Sequence, residues 1–525
     1  MHLVHGDAGT RLAGTAHLVS HKQEPQQVAP LLYSFGCLFC LLASYFVVAP
    51  LREDAAISLG TDSLPKLFAS SLVGVLLLTP LTSVFLSRAG RDREASLRQF
   101  YAVLATILLG FYVLYYASTL QAQATSRNSA LVQQQQPGES QQPGDRAASV
   151  KGGDPTLDAF QQAVRAAFYV FINVQNLIAI SAAWARCADV FSAEAASRLF
   201  GFVSAGATIG QLVGSLVTAT VAGVAKEGSG PVYGLIFVSA LLMYAAAFFA
   251  AKVQRPGGRL RTEVSMPGVG QRATDNAPSG GSTTATAARG KESTGGGGGG
   301  GARSHAAALL EGFALIARSP YLLLMCGYLM MTYVVGSLMY FQRSLVVALA
   351  VSDTNARTAF FARVYSASAL ATIVLQMFAT GRMLKGIGIA AALAIFPLAC
   401  AGLIAYVGMA PTMSSVALGE VVRKLLGYAL VRPAREVLFT VVSREEKYKA
   451  KLTIDAVVQR MGDCFAALVF EVLDVRLHFG QQGVAVAGVV ACGIWGLWAL
   501  RLGWRHAVLA VGTPGMGGAG ADSSA

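Results

Sequence analysis

Charged residues are scarce in this chain of 525 residues, and acidic residues are fewer than basic ones. Asp, Glu, Lys and Arg together make up 13% of the sequence, whereas a soluble domain usually carries roughly 25%. Hydrophobic residues make up 54%, and the mean hydropathy is +0.52. This shortage of charge excludes an ordinary soluble domain and favours a protein whose solvent is lipid.

The patterns of a disulfide framework, a metal site and a hydrolytic enzyme are also missing. Most of the seven cysteines lie inside apolar runs, where a thiol behaves as a small hydrophobe. Cys37 and Cys40 form a C-x-x-C motif, but no histidine or second cysteine pair accompanies it. No H-E-x-x-H motif occurs, and no Ser-His-Asp set can be placed. We therefore expect no cofactor, no bound metal, no catalytic residues and no enzyme activity.

The apolar residues fall into runs of about 20, the length that crosses roughly 30 Å of hydrocarbon as a helix. Six runs lie in the first half of the chain: Leu31 to Val48, Leu67 to Leu86, Phe100 to Tyr116, Ala166 to Trp184, Phe202 to Val224 and Val232 to Ala251. Six more follow: Tyr321 to Phe341, Phe361 to Ala379, Ile389 to Met409, Thr412 to Val431, Leu452 to Val475 and Val484 to Leu500. The sequence thus predicts an all-α membrane protein of about twelve transmembrane helices in two six-helix halves, which is a major-facilitator-like arrangement.

The predicted halves cover residues 31–251 and 305–502, with an N-terminal tail at 1–30 and a C-terminal tail at 503–525. A Gln-rich insert at 119–158 and a Gly-rich basic linker at 252–304 have the composition of disordered segments. The formal net charge is +13, and the basic residues concentrate between apolar runs, after the second and fourth helices and in the linker. That distribution follows the positive-inside rule, so we assign those loops to the cytoplasmic-type side and expect no nucleic-acid binding.

Polar residues interrupt several of the apolar runs. Helix four carries Asn173 and Asn176 in mid-run, where they either line a cavity or bond a neighbouring helix. Helix ten carries charges on one face, and helix eleven carries a stripe that includes Asp455 and Arg460. Charges at membrane depth normally face a bundle interior or a water-filled path, so the stripe predicts either a transport route or a self-neutralising network.

Glycines recur at a spacing of four on helix five, at Gly206, Gly210 and Gly214. This spacing places a smooth stripe on one face, where another helix can approach closely. We expect the stripe to be a packing surface.

Several segments resemble the ATP/ADP translocase family, the nucleotide carriers of plastids and intracellular bacteria, which is distantly related to the major facilitator superfamily. The resemblance is strongest near the C-terminus, where Pro433-Ala-Arg-Glu436, Ala450-Lys-Leu-Thr-Ile-Asp455 and Gln459-Arg-Met-Gly462 are similar to family motifs. Leu51-Arg-Glu-Asp54, after helix one, is similar to the family's Leu-Arg-Asp, and Leu64-Pro-Lys66 lies near a family basic residue at the start of helix two. Two charges depart from the family pattern, because Arg432 stands where the family has Asp and Asp463 where it has Lys.

The resemblance implies a secondary transporter that exchanges ATP for ADP by alternating access, in the plastid envelope or another organellar membrane. It implies that the protein, surrounded by the lipid bilayer, holds a nucleotide or another anionic metabolite near the middle of the membrane. The resulting candidate substrate-binding residues are Arg52, Lys66, Asn173, Asn176, Arg435, Glu436, Lys451, Asp455 and Arg460. Two other interpretations of the sequence are a facilitator-type carrier of another small solute and a non-transporting polytopic receptor or scaffold.

Overall fold

The structure is a computed structural model and describes residues 25–88, 93–133, 157–191, 193–225, 232–254, 314–378, 388–442 and 458–512. Every regular element within those ranges is a helix. The predicted fold class, an all-α membrane protein, is therefore confirmed. Predicted sites at Lys451 and Asp455 lie outside the described residues, as do most of the linker and parts of both tails.

The principal helices are numbered α1 to α12 in chain order. The first half contains α1 (Pro25–Ser58), α2 (Leu64–Arg88), α3 (Arg93–Gln133), α4 (Ala159–Val190), α5 (Ala193–Val224) and α6 (Gly234–Lys252). The second half contains α7 (Pro320–Ala350), α8 (Thr354–Phe378), α9 (Ile389–Met409), α10 (Met413–Leu426), α11 (Gln459–Phe470) and α12 (Gly480–Gly512).

Ten helices in the described part of the chain are long and apolar enough to cross a membrane. Many large apolar side chains on them point outward and are exposed, including Leu77, Leu81 and Leu497. Exposed apolar surface of this extent is typical of a lipid-facing protein. The chain is an integral, multi-pass membrane protein.

The two remaining helices, α10 and α11, are short and interrupted. Beyond α10 the chain makes a π-helical turn at Gly427–Val431 and a further α-helical turn at Arg432–Leu438. Beyond α11 it makes a second π-helical turn at Glu471–Arg476. Single π-helical turns often occur at functional sites. These are the two predicted helices with the most polar residues, so interruption and polarity coincide.

The glycine stripe of α5 packs directly on the backbone of α1. A Cβ added at Gly206 would lie 2.8 Å from the carbonyl oxygen of Phe35. Cβ atoms added at Gly210 and Gly214 would overlap the carbonyl oxygens of Phe39 and Ala43. Only a residue without a side chain allows this approach, so the stripe holds α1 and α5 together within the first half.

Each half has its own hydrophobic core, and a further cluster joins the halves. Phe168 and Tyr101 are fully buried in the first half, and Trp495 is fully buried in the second. Between the halves, the ring of Phe341 on α7 lies 4.8 Å from that of Phe68 on α2 and 4.6 Å from that of Phe470 on α11. These aromatic contacts set the two bundles face to face.

The helix ends differ in places from the predicted segment boundaries. Helix α3 continues to Gln133, into the insert predicted at 119–158, because its Ala, Gln, Leu and Ser residues permit a helix. Residues 134–156 of that insert lie outside the described ranges. Helix α12 continues to Gly512, past the predicted start of the C-terminal tail.

Candidate functional site

A cavity of about 680 Å³ lies between the two halves. Its walls come from α1, α2, α4 and α5 on one side and from α7, α8, α10 and α11 on the other. Small-molecule sites in proteins commonly measure about 300 to 1,000 Å³, so the cavity has the size of a ligand site.

The end of α1 supplies the first polar wall of the cavity. The Arg52 guanidinium donates to the Tyr45 hydroxyl at 2.7 Å and to the Asn173 side-chain oxygen at 2.8 Å, and it pairs with Glu53. Proline at position 50 lies inside this helix, one turn before the ion pair. The arrangement ties α1 to α4 within the first half.

Glu53 also reaches across to the second half. Its carboxylate accepts hydrogen bonds from Arg343 of α7 and from the Tyr365 hydroxyl of α8, each at 2.7 Å. Both Glu53 and Arg343 are buried. Replacing one partner of a buried pair leaves an unpaired charge, which typically costs about 3 to 5 kcal/mol, so this contact fixes the relative position of the halves.

On α10, three charged residues face the cavity because they are spaced three and four apart on one helix face. The Glu420 carboxylate accepts from the Arg423 guanidinium at 3.0 and 3.1 Å and lies 3.2 Å from the Lys424 ammonium. A guanidinium nitrogen of Arg343 lies 3.4 Å from the same carboxylate. Ion pairs therefore run from Arg52 through Glu53, Arg343 and Glu420 to α10.

Charge is distributed unevenly around the cavity. Six basic side chains line it, namely Arg52, Arg343, Arg423, Lys424, Arg432 and Arg460, against three acidic ones, Glu53, Glu420 and Asp463. The excess is three positive charges. The first-half wall is balanced, since Arg52 and Glu53 cancel, so the excess comes from the second half. An anionic ligand would neutralise charge that is otherwise costly at this depth.

The first-half wall adds no net charge but carries rings and amides, whereas the second-half wall carries rings, at Tyr340, Tyr365 and Tyr428, beside its charges. Tyr45, Phe46, Phe68 and Tyr169 line it together with Asn173 and Asn176. The side-chain oxygen of Asn176 is buried and has no hydrogen-bond partner within the described part of the chain. A buried unsatisfied acceptor is costly, and a ligand that donates a hydrogen bond would satisfy it.

One end of the cavity is closed by an ion pair outside its lining. Arg357 of α8 donates to Asp54 of α1 at 2.7 Å and to the Ser58 hydroxyl at 3.0 Å. Both charged side chains are buried. Along α5 and α8, Ser366 donates to Ser215 at 3.0 Å. These contacts close the end near the α1–α2 and α7–α8 connections.

The lining continues toward the opposite end, along α4 as far as Trp184. That end of α4 lies on the side assigned above to the basic, cytoplasmic-type loops. If those loops are cytoplasmic as predicted, the Asp54–Arg357 pair lies beyond the non-cytoplasmic end of the cavity and the lining extends toward the cytoplasmic side.

The candidate residues from the sequence fall into three groups. Arg52, Asn173, Asn176 and Arg460 line the cavity. Lys66 is exposed on α2, and Arg435 is half-buried on the turn after α10; neither belongs to the lining. Glu436 lies on that same turn, and its side chain is outside the described part of the structure, as Lys451 and Asp455 are.

Six cavity residues were not among the candidate substrate-binding residues: Glu53, Arg343, Tyr365, Glu420, Arg423 and Lys424. The last three are the charges on one face of helix ten, which the sequence predicts to mark either a transport route or a self-neutralising network. A signal existed for Arg343, because an arginine deep inside an apolar helix marks a functional position by default. Tyr365 carried no such signal, since tyrosines are common in membrane helices.

The fold and the cavity define a helical membrane protein whose two halves enclose a charged central site. Three solved structures are similar to it: the nucleoside transporter NupG, a D-xylose-proton symporter and an auto-inhibited peptide transporter of the POT family.

For NupG, the identity is 13% and the TM-score 0.50, with 93% of this chain and 99% of that one covered. For the symporter, the identity is 13% and the TM-score 0.53, and the match covers 89% of this chain and 96% of the symporter. For the peptide transporter, the identity is 10% and the TM-score 0.53, and the match covers 93% of this chain and 98% of the peptide transporter. No family model matches the sequence, and no curated protein matches it.

Coverage of nearly the whole of both chains establishes a common architecture, so the chain has the fold of major-facilitator-type transporters. This agrees with the two-half arrangement predicted from the sequence. Proteins that share one fold can bind many different ligands, so the residues of the cavity determine the substrate.

Proposed function

We propose that this protein is a secondary transporter that exchanges ATP for ADP across its membrane by alternating access. The observation that carries the proposal is the excess of three positive charges around a cavity that has aromatic rings and amides on its other wall. Polyphosphate suits the first feature, and a nucleobase suits the second. The resemblance of the α1 and α11 segments to ATP/ADP translocases points to the same substrate.

Alternating access is supported by the geometry of the two ends. A buried ion pair joins the halves beyond one end of the cavity, and the lining extends toward the end that the basic loops predict to be cytoplasmic. In major-facilitator-type carriers, rocking of one half against the other around a central site moves the opening between the two sides. Here the closing contacts are a few ion pairs and hydrogen bonds between the halves.

Nucleotide orientation follows from the split in the lining. The phosphates are expected against Arg423, Lys424 and Arg343, since Arg and Lys bind phosphate oxygens through charge-assisted hydrogen bonds. The base is expected near Asn176 and Tyr169, which offer an amide and a ring face. The nucleotide would then bridge both halves, so binding is sensitive to their relative position.

Counter-exchange in proteoliposomes tests the proposal. Vesicles loaded with ADP should accumulate labelled ATP, and adding unlabelled ADP outside should release the label. Lys424→Gln should reduce the rate at least tenfold by removing one cavity charge. Arg363→Gln is the matched control, because Arg363 lies on α8, is exposed and is outside the cavity lining.

Two results would contradict this function. One is the absence of ATP accumulation by a correctly folded protein under any loading condition. The other is accumulation that proceeds without internal nucleotide, since that would indicate a facilitator for one solute instead of an exchanger.

A further inference from the structure

Glu420 occupies an unusual position in the cavity, because three cations converge on its carboxylate. Arg423 contributes two contacts at 3.0 and 3.1 Å, Lys424 one at 3.2 Å and Arg343 one at 3.4 Å. Every one of these cations also lines the cavity. The protein's own carboxylate therefore lies among the groups that an incoming anion would contact.

These cations are held in place by more than Glu420. The Lys424 ammonium lies 3.9 Å from the centre of the Tyr365 ring. The Arg343 guanidinium lies over the rings of Tyr340 and Phe361, at 4.7 and 5.0 Å. Such cation–π contacts stabilise a charge in a desolvated site. Changing Glu420 therefore alters the charge of the cluster while much of its support remains.

The arginines keep unused donor capacity beside that carboxylate. Among the residues that the structure describes, the buried Nε atoms of Arg423 and Arg343 have no hydrogen-bond partner. A guanidinium has five N–H donors, so one carboxylate does not saturate it. A second anion can therefore bind these cations with Glu420 still in place.

The acidic side chain thus reduces, without cancelling, the positive charge offered to a ligand. With Glu420 ionised, the lining has six basic and three acidic residues, an excess of three. An uncharged residue at position 420 would raise that excess by one. At close range in a poorly hydrated site, one unit of charge strongly changes the affinity for an anion.

We propose that Glu420 sets the relative affinity of the cavity for anions of different charge. The inference rests on the proposed nucleotide transport. Each phosphate added to a nucleotide contributes about one further negative charge, so a diphosphate carries about three and a triphosphate about four. The native lining matches the diphosphate, and Glu420 disfavours the triphosphate relative to it.

A charge series on the purified full-length protein in lipid nanodiscs tests this role. Dissociation constants for AMP, ADP and ATP are measured without Mg²⁺, and the ratio of ATP affinity to ADP affinity is the readout. Glu420→Gln should raise that ratio about tenfold. Glu420→Asp keeps the charge and should keep the wild-type ratio. Thermal unfolding and size-exclusion chromatography check the fold of each variant.

The double variant Glu420→Gln/Lys424→Gln separates charge from structure. It restores the excess of three, so the ratio should return toward the wild-type value although two side chains have changed. Lys424→Gln alone lowers the excess to two and should shift the ratio in the opposite direction. That single variant tests the proposal even if Glu420→Gln does not fold.

The outcomes distinguish the two proposals. If the wild type binds nucleotides but the ratio stays constant in the folded variants, charge selection by Glu420 is wrong and nucleotide transport stands. If the double variant keeps a shifted ratio, position 420 acts through structure and the inference is likewise wrong. If the wild type binds none of the three nucleotides, both proposals fail together.

Discussion

Arg343 joins carboxylates from both halves of the molecule. Its guanidinium contacts Glu53 of α1 at 2.7 Å and Glu420 of α10 at 3.4 Å. Aromatic rings cover the guanidinium, so little water reaches the pair. A planar guanidinium with several donors can hold two carboxylates at once, which the ammonium of lysine does less well.

Replacement of Arg343 by Gln should therefore abolish exchange. It leaves Glu53 with fewer donors in a buried site, and the loss of a buried partner typically costs about 3 to 5 kcal/mol of stability. Thermal unfolding should show a lower midpoint, and proteoliposome exchange should fall to background. Arg343→Lys should recover part of the stability and little of the transport. Full exchange in Arg343→Gln would remove this residue from the mechanism.

Asn176 tests the orientation of the nucleotide. Asn176→Leu removes this side-chain oxygen and keeps a side chain of similar size. The affinity for ADP should fall roughly tenfold, because one hydrogen bond to the base is lost. Pyrophosphate, which has no base, should bind the variant and the wild type equally. An equal loss for both ligands would place the phosphates, and not the base, at this wall.

At the scale of elements, the contact between α1 and α5 depends on the absence of side chains. Gly210→Ala introduces a methyl group onto the Phe39 carbonyl, and no side-chain rotation can relieve a clash with backbone. The variant should be destabilised by about 1 to 3 kcal/mol, as overpacked positions usually are. A lower unfolding midpoint in detergent would show this.

Gly201→Ala is the matched control on the same helix. Apart from its chain neighbours and the nearby backbone of its own helix, no atom of the described residues lies within 4 Å of a Cβ added at Gly201. Alanine also favours helix over glycine, so this variant should be as stable as the wild type or slightly more so. Equal destabilisation by the two substitutions would mean that α5 tolerates no change anywhere, contrary to the packing described here.

The helices were predictable because a membrane span needs a long apolar run, and such runs are local in sequence. The ends were less predictable, as the continuation of α3 to Gln133 illustrates, since polar residues can extend a helix beyond the bilayer. Helices α10 and α11 were predicted from apolar runs although both carry many polar residues. The π-helical turn after each had no clear signal in the sequence.

The site was predictable only where one helix carried its own signal. Arg52 belongs to the family-like segment Leu51-Arg-Glu-Asp54, and the amides of α4 stand out within an apolar run. The pairing of Glu53 with Arg343 joins residues 290 positions apart, so it depends on how the halves pack together. Lys66 illustrates the converse: it lies near a family-like motif, but its register on α2 leaves it exposed and outside the cavity lining.

At the scale of the whole molecule, the buried pair between Asp54 and Arg357 joins the two halves, and we expect it to act as a gate. Asp54→Arg and Arg357→Asp should each slow exchange strongly, because like charges would then meet in a buried contact between the halves. The double variant with both substitutions recreates an ion pair of reversed polarity and should recover a substantial part of the rate. Exchange measured for the three variants in parallel checks this, and an inactive but folded double variant would argue against a simple gate.

Under the proposed exchange, the positive charge around the cavity makes transport sensitive to the membrane potential. Moving one elementary charge across a membrane potential of 100 mV involves roughly 2.3 kcal/mol. A cavity with an excess of three positive charges leaves little net charge when it carries a diphosphate, but about one negative charge with a triphosphate. Exchange of the two nucleotides would therefore perform electrical work, and the voltage across the membrane would decide which nucleotide accumulates on which side.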